Sequence, residues 1–144
     1  MILLDTNVVS ELMRTAPAPQ VVGWLDAQAA ETLHLSAVSL AELLLGIALL
    51  PDGRRKADLN IALETRATAL FGSRVLSFDK AAASVFAGIV SRTRASGLSI
   101  GTADAQIAAT AAAHGFTVAT RDTAPFEAAG LAVINPWNEP DRSA

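Results

Sequence analysis

Short apolar runs alternate along this chain with longer segments of helical periodicity, and that alternation admits few architectures. Strands followed by helices of ten or more residues predict crossover units, hence an α/β domain with a mostly parallel central sheet. The predicted strands are residues 2–4, 32–35, 75–76, 117–119 and 132–134. Between them, helices are expected near residues 8–14, 19–28, 40–49, 55–71, 80–95 and 103–113. Gly115 stands after His114 where a left-handed helix end requires it, and Pro136 stops "VIN" from running on. "PDGRR" reads as a turn, and no internal repeat or low-complexity tract interrupts the pattern.

A chain of 144 residues suits one domain with a real core. That domain is expected over residues 1–137, with 138–144 as a flexible, dispensable tail. One segment, "LHLSAVSLAELLLGIALL" from Leu33 to Leu50, approaches the length and apolarity of a membrane span. Glu42 at its middle argues against that, since an acidic residue costs about 2.5 to 3.5 kcal/mol at a membrane helix centre. "SAVS" instead resembles a strand-to-helix joint, so the segment reads as a buried strand and a buried helix, with no membrane association. Asp5 interrupts "MILL", no basic segment precedes it, and export is not expected. The absence of cysteine excludes disulfides, thiol catalysis and zinc-thiolate sites, and suits a reducing cytoplasm.

Hydrophobic residues make up 51% of the chain and charged residues 17%, below the roughly 25% of an average domain. Part of the surface is therefore expected to lie under a partner. The net charge of −3 offers no overall positive field, so any nucleic-acid contact must rest on local patches. Arg54 to Lys56 in "GRRK", Arg92, Arg94 and Arg121 are the candidates, the first groups equally readable as solvated surface. Arg121 can equally pair with Asp122 or with an acid of a partner. Aromatic residues are 5% of the chain, which leaves little for base stacking.

Four acids carry the chemical interest. Ligands of open parallel sheets gather beyond the carboxyl ends of strands where the strand order reverses. Asp5 ends the strand "MILL" and Asp122 follows "FTVATR". Each has a plainer reading, Asp5 as a helix cap and Asp122 as a turn residue bonding its own backbone. Glu42 is the single charge between Leu35 and Leu50, with Val38, Ser39, Leu45 and Gly46 as its helical neighbours. A carboxylate in such a helix needs a cation, either an arginine or a metal ion. Asp104 opens the alanine-rich helix of "TADAQIAATAAAHG", where it favours the helix dipole, with Thr102 as the expected cap. If the sheet brings all four to one cleft, their repulsion raises carboxyl pKa values unless hard cations occupy it. Magnesium or manganese matches an all-oxygen donor set. Two such ions about 3.5 to 4 Å apart can clamp the attacking and leaving oxygens of a phosphodiester. His34 and His114 fit structural roles, while Thr6, Thr120 and Asn7 read either as caps or as holders of metal-bound water.

Taken together, "LLDTNVVSEL", "SAVSLAELLLGIALLPDGRRK", "DAQIAATAAAHGFTVATRD" and "VINPW", in that order across nearly the whole chain, resemble the PIN-domain ribonucleases, specifically the VapC and FitB-like toxins. The resemblance implies a single PIN-like domain, a three-layer α/β/α sandwich with a mostly parallel sheet. It implies metal-dependent hydrolysis of RNA, transfer or ribosomal, to a 5′-phosphate and a 3′-hydroxyl. The family's first acid matches Asp5, its helical glutamate Glu42 and its third acid Asp104, while Asp122 matches the position after "TR". These are the catalytic and metal-binding residues it implies, with Mg2+, or Mn2+, as cofactor. The partners it implies are an RNA substrate, a small DNA-binding antitoxin and a second copy in a homodimer, all in the cytoplasm. In one place the pattern departs: members commonly carry another aspartate before a phenylalanine, and here Pro125 precedes Phe126.

Two other readings compete. Phosphotransferases of the haloacid dehalogenase type begin with a strand and an aspartate but place a second aspartate two residues on, where this chain has Asn7. They also need a late lysine that is missing here. The second alternative, encouraged by Pro125, is a catalytically inert PIN module that only binds an antitoxin or RNA.

Overall fold

A computed structural model describes residues 1–140; of the tail expected from 138 onward, residues 141–144 lie outside it. Strand β1 (Ile2–Leu4) leads into α1 (Thr6–Leu12) and α2 (Pro19–Asp26). Strand β2 (Leu33–Ser36) is followed by α3 (Ala37–Ala48) and α4 (Arg54–Phe71), then β3 (Val75–Leu76). Next come α5 (Lys80–Ala95), α6 (Thr102–His114), β4 (Thr117–Ala119), α7 (Thr123–Ala128) and β5 (Val133–Ile134). One turn of 3-10 helix, Pro136–Asn138, follows.

The strands form one sheet in the order β3-β2-β1-β4-β5, every pairing parallel. Alternate side chains of a strand point to opposite faces, and the core divides accordingly. Leu4, Leu35 and Ala119 pack against α1 to α4, with Trp24, Leu63 and Phe71 among their neighbours. Leu3 and Val118 pack against α5, α6 and α7 through Ile89, Ile107 and Phe126. The result is the expected α/β/α sandwich.

Local chemistry accounts for most boundaries. Ser36 caps α3 by accepting the Ser39 N–H at 2.9 Å, and Asp79 caps α5 by accepting that of Ala82 at 2.9 Å. Gly115 ends α6 at φ 70°, a conformation costly for a residue with a Cβ. The expected cap Thr102 is instead the first residue of α6, and Gly101 stands at the cap without a side-chain bond. Helix α7 escapes the sequence pattern because it has six residues and one buried side chain, Phe126.

Helix α3 also departs from expectation. It buries Ser39, Leu43 and Ile47, while Leu44 and Leu45 are about half exposed. Only one stripe faces the core, because α1, α4, α6 and β2 each contact it along limited lines. No helix among the described residues is long and apolar enough to cross a membrane, since Ser36 divides the apolar segment into a four-residue strand and a twelve-residue helix.

Candidate functional site

The strand order reverses at β1: β2 and β3 build outward on one side, β4 and β5 on the other. Leu4 lies in register with Ala119, so the residues that follow, Asp5 and Thr120, meet at the carboxyl end of the switch point. The Asp5 N–H donates to the Ala119 carbonyl at 2.9 Å and carries the pairing one residue past the strand.

Asp5 is 5% exposed. Its Oδ1 accepts the Thr6 N–H at 2.8 Å, so the cap expected at this position exists. Its Oδ2 accepts the Thr120 hydroxyl at 2.8 Å and the Asn7 amide at 3.4 Å. Thr120 is fully buried, and its hydroxyl is saturated: it donates to Asp5 and accepts from Asn7 Nδ2 and the Asp122 N–H, both at 3.1 Å. With donor and lone pairs engaged, Thr120 orients the carboxylate and has no capacity left for a metal-bound water. Sequence reading left Thr120 ambiguous because its partner lies 115 residues away. Burial pushes the Asp5 carboxyl up from 3.8 to about 6, against the opposing bonds from Thr120 and Thr6, and the charges of Asp104 and Glu42 add to the rise.

Asp104, in the first turn of α6, is half-buried and its carboxyl is also raised, first by burial and then by the charges of Asp122 and Glu42. Glu42 corrects the expectation of a buried charge: it is exposed, and its Oε1 accepts the Thr6 hydroxyl at 2.7 Å. Its exposure to solvent removes the burial penalty that would have demanded a cation. Asp122 is exposed at the start of α7, and its side chain makes no capping bond, so the turn-forming role does not describe it. The fold thus places Asp104 and Glu42 within electrostatic reach of Asp5, and Asp122 and Glu42 within reach of Asp104. Among the described residues, however, no three acid or histidine side chains approach closely enough to form a preformed metal cage.

The donor set nonetheless suits a hard cation: it is all oxygen, and Asp5 carries a desolvated carboxyl whose charged form a cation would favour. An open cleft of about 1260 Å³ starts at Thr6 and Glu42 and continues past Arg14, Arg54, Arg55 and Arg66. Lys56 instead donates to the Ala48 carbonyl, and Arg92 and Arg94 lie in the last turn of α5, on the opposite face of the sheet. His34 is buried against Phe116, ring centroids 4.6 Å apart, and His114 meets the same ring at 5.3 Å. Neither histidine is among the groups that act on the carboxyls of Asp5 and Asp104.

The PIN domain family profile matches residues 2–131. The VapC ribonuclease Y4jK of Sinorhizobium fredii is 52% identical over 137 residues, covering 95% of this chain and 98% of that one. Toxin FitB of Neisseria gonorrhoeae is 50% identical over 139 residues, covering 96% and 100%. The crystal structure of FitAcB from Neisseria gonorrhoeae superposes with a TM-score of 0.91 at 50% identity, covering 96% of this chain and 99% of that one. With a profile match across most of its length, relatives near half identity and a superposition covering nearly the whole chain, the chain belongs to the PIN domain family.

Proposed function

We propose that this chain is the toxin of a type II toxin–antitoxin pair, a ribonuclease that hydrolyses phosphodiester bonds in RNA. The observation that carries the reading is Asp5: a buried carboxyl at the switch point of the sheet, fixed by three donors, with Glu42 and Asp104 acting on its charge. The names of the relatives, a VapC ribonuclease and a toxin, agree with it. Asp5 and Asp104 serve as the central ligands of a divalent cation, Mg2+ with Mn2+ as substitute, and Glu42 and Asp122 complete or orient the set. A cation held there would supply Lewis-acid charge for hydrolysis of the phosphodiester.

The protein's own groups do the rest. Thr120 and Asn7 hold Asp5 in one rotamer, so its charge needs no reorganisation when the substrate arrives. The Thr6 hydroxyl, on the first residue of α1, aims Glu42 at the mouth of the arginine-lined cleft, where flanking phosphates can sit. The products are a 5′-phosphate and a 3′-hydroxyl. The partners are an RNA substrate, transfer or ribosomal, a small DNA-binding antitoxin and a second copy of the chain, in the cytoplasm.

One observation favours a second reading, an inert module that binds RNA or antitoxin. Pro125 occupies the first turn of α7 in place of the family's usual acid, which leaves Asp122 as the one carboxylate between β4 and Phe126. Incubating purified protein with transfer and ribosomal RNA, with Mg2+, Mn2+ or chelator, and beside Asp5→Asn, separates the two. Cleavage by wild type only with metal, absent in the variant, is the expected result; intact RNA in every lane would sink the nuclease reading.

A further inference from the structure

A fixed cation stands at the edge of this acidic centre. Arg121 follows Thr120 directly, and its backbone N–H donates to Asn7 Oδ1 at 3.3 Å, the same asparagine whose amide bonds Asp5. Its side chain is exposed, and among the described residues it forms no ion pair, not even with adjacent Asp122. Its guanidinium carbon instead lies 5.1 Å from the ring centroid of Trp137, within cation–π reach.

That tryptophan is itself fixed. It sits in the 3-10 turn after β5, its backbone N–H donates to Asn135 Oδ1 at 3.0 Å, and its side chain packs against the core beneath α1 to α4. Pro136 beside it is buried. The strand pair β4 and β5 therefore sets the guanidinium on a shelf one residue from the carboxylate network. An unpaired arginine normally samples many rotamers, and a planar shelf removes most of that freedom before binding. A cation held this way beside carboxylates, yet not neutralised by them, is suited to an anion that visits the same place.

Building on the ribonuclease reading above, we propose that Arg121 binds a phosphate of the RNA backbone next to the scissile one, and that Trp137 is the positioning residue that holds it there. The guanidinium fork matches two non-bridging phosphate oxygens. The contact carries no base information, so it positions RNA of any sequence.

The test uses full-length protein carrying Asp5→Asn, to prevent cleavage, and a short fluorescein-labelled RNA of mixed sequence read by anisotropy across a KCl series. Arg121→Met in this background is expected to weaken binding about 5- to 10-fold and to lower the slope of log K against log salt by about one unit. Trp137→Ala is expected to weaken binding about 3-fold with the slope retained, and Trp137→Phe to restore most of it, because the charge stays and only its placement changes. In the cleaving protein, kcat/KM for the RNA pool should fall chiefly through KM. Since Arg121 is exposed, Arg121→Met remains interpretable even where Trp137→Ala unfolds the turn. Unchanged affinity and slope in Arg121→Met, while wild type still cleaves with metal, overturns the phosphate contact and leaves the nuclease reading standing. Loss of binding to an acidic protein partner with RNA binding intact overturns it as well. Wild type that fails to cleave under any metal removes the ribonuclease reading first.

Discussion

Helices α3 and α6 each deliver one acid to the carboxyl end of the sheet, yet they are built on opposite terms. Helix α3, "AVSLAELLLGIA", is the more apolar, and it buries three residues while Leu44 and Leu45 face outward. Helix α6, "TADAQIAATAAAH", carries mostly alanine, and it buries six, from Ala105 to Ala111. Small side chains let α6 pack closely along α5 while it also meets α7, α3 and β4, whereas α3 meets α1, α4, α6 and β2 with no contact of that breadth. Burial thus follows how broadly the neighbours cover a helix rather than how apolar it is. The acids inherit the difference: Asp104 is half-buried with a raised carboxyl, and Glu42 is solvated.

The largest expected effect concerns the carboxyl on which both helices act. Asp5 titrates near 6 when folded and near 3.8 when unfolded, so the folded chain holds the proton more tightly. The stability this contributes is full below about pH 4 and is lost as pH rises through 6, a change on the order of 3 kcal/mol. In chelator, urea unfolding should show Asp5→Asn gaining on wild type by about that much between pH 4 and 7. A stability gap that stays constant with pH would refute the burial account of Asp5.

Activity separates the two helices next. Asp104→Asn, at a proposed central ligand, should cost about 100-fold or more in metal-dependent RNA cleavage, and Glu42→Gln about 10-fold, the low end of the range usual for groups that orient metal ligands. The solvated carboxylate interacts with a cation through a higher effective dielectric. Equal losses, measured as kcat/KM on one RNA, would break the comparison.

Packing gives smaller effects. Ala109→Leu inserts bulk where α6 is fully buried, with an expected loss of about 1–3 kcal/mol in urea unfolding. Leu45→Ser, on the exposed face of α3, should change the stability of the dilute, unassociated chain by about 0.5 kcal/mol or less. A comparable loss in both would mean that the outward leucines are packed in solution.

Much of the fold was legible in the chain. The β1, β3 and β4 boundaries follow from short apolar runs between turn-forming residues, and the limits of α5 from the Asp79 cap and the periodicity behind it. The position of Asp5 was legible as well, because a carboxylate that closes an apolar run is conspicuous at a strand end. Helix α7 was not, since six residues with one buried phenylalanine carry no periodic signal. Glu42 escapes the sequence pattern for the opposite reason: twelve apolar-rich residues imitate a core helix, and nothing local reveals that only the stripe of Ser39, Leu43 and Ile47 is covered.

What the sequence by itself determined is therefore local: where chain direction changes, which segments are helical, and which polar groups stand at their ends. The caps, the turns and the two side-chain periods act over a few residues and need no distant partner. Only the tertiary structure decided which acid is desolvated, that Thr120 spends its hydroxyl on Asp5, and that Arg121 rests on Trp137. Burial, orientation and charge coupling depend on groups that the parallel sheet brings together from opposite ends of the chain, so they come into being only when β1 and β4 lie side by side.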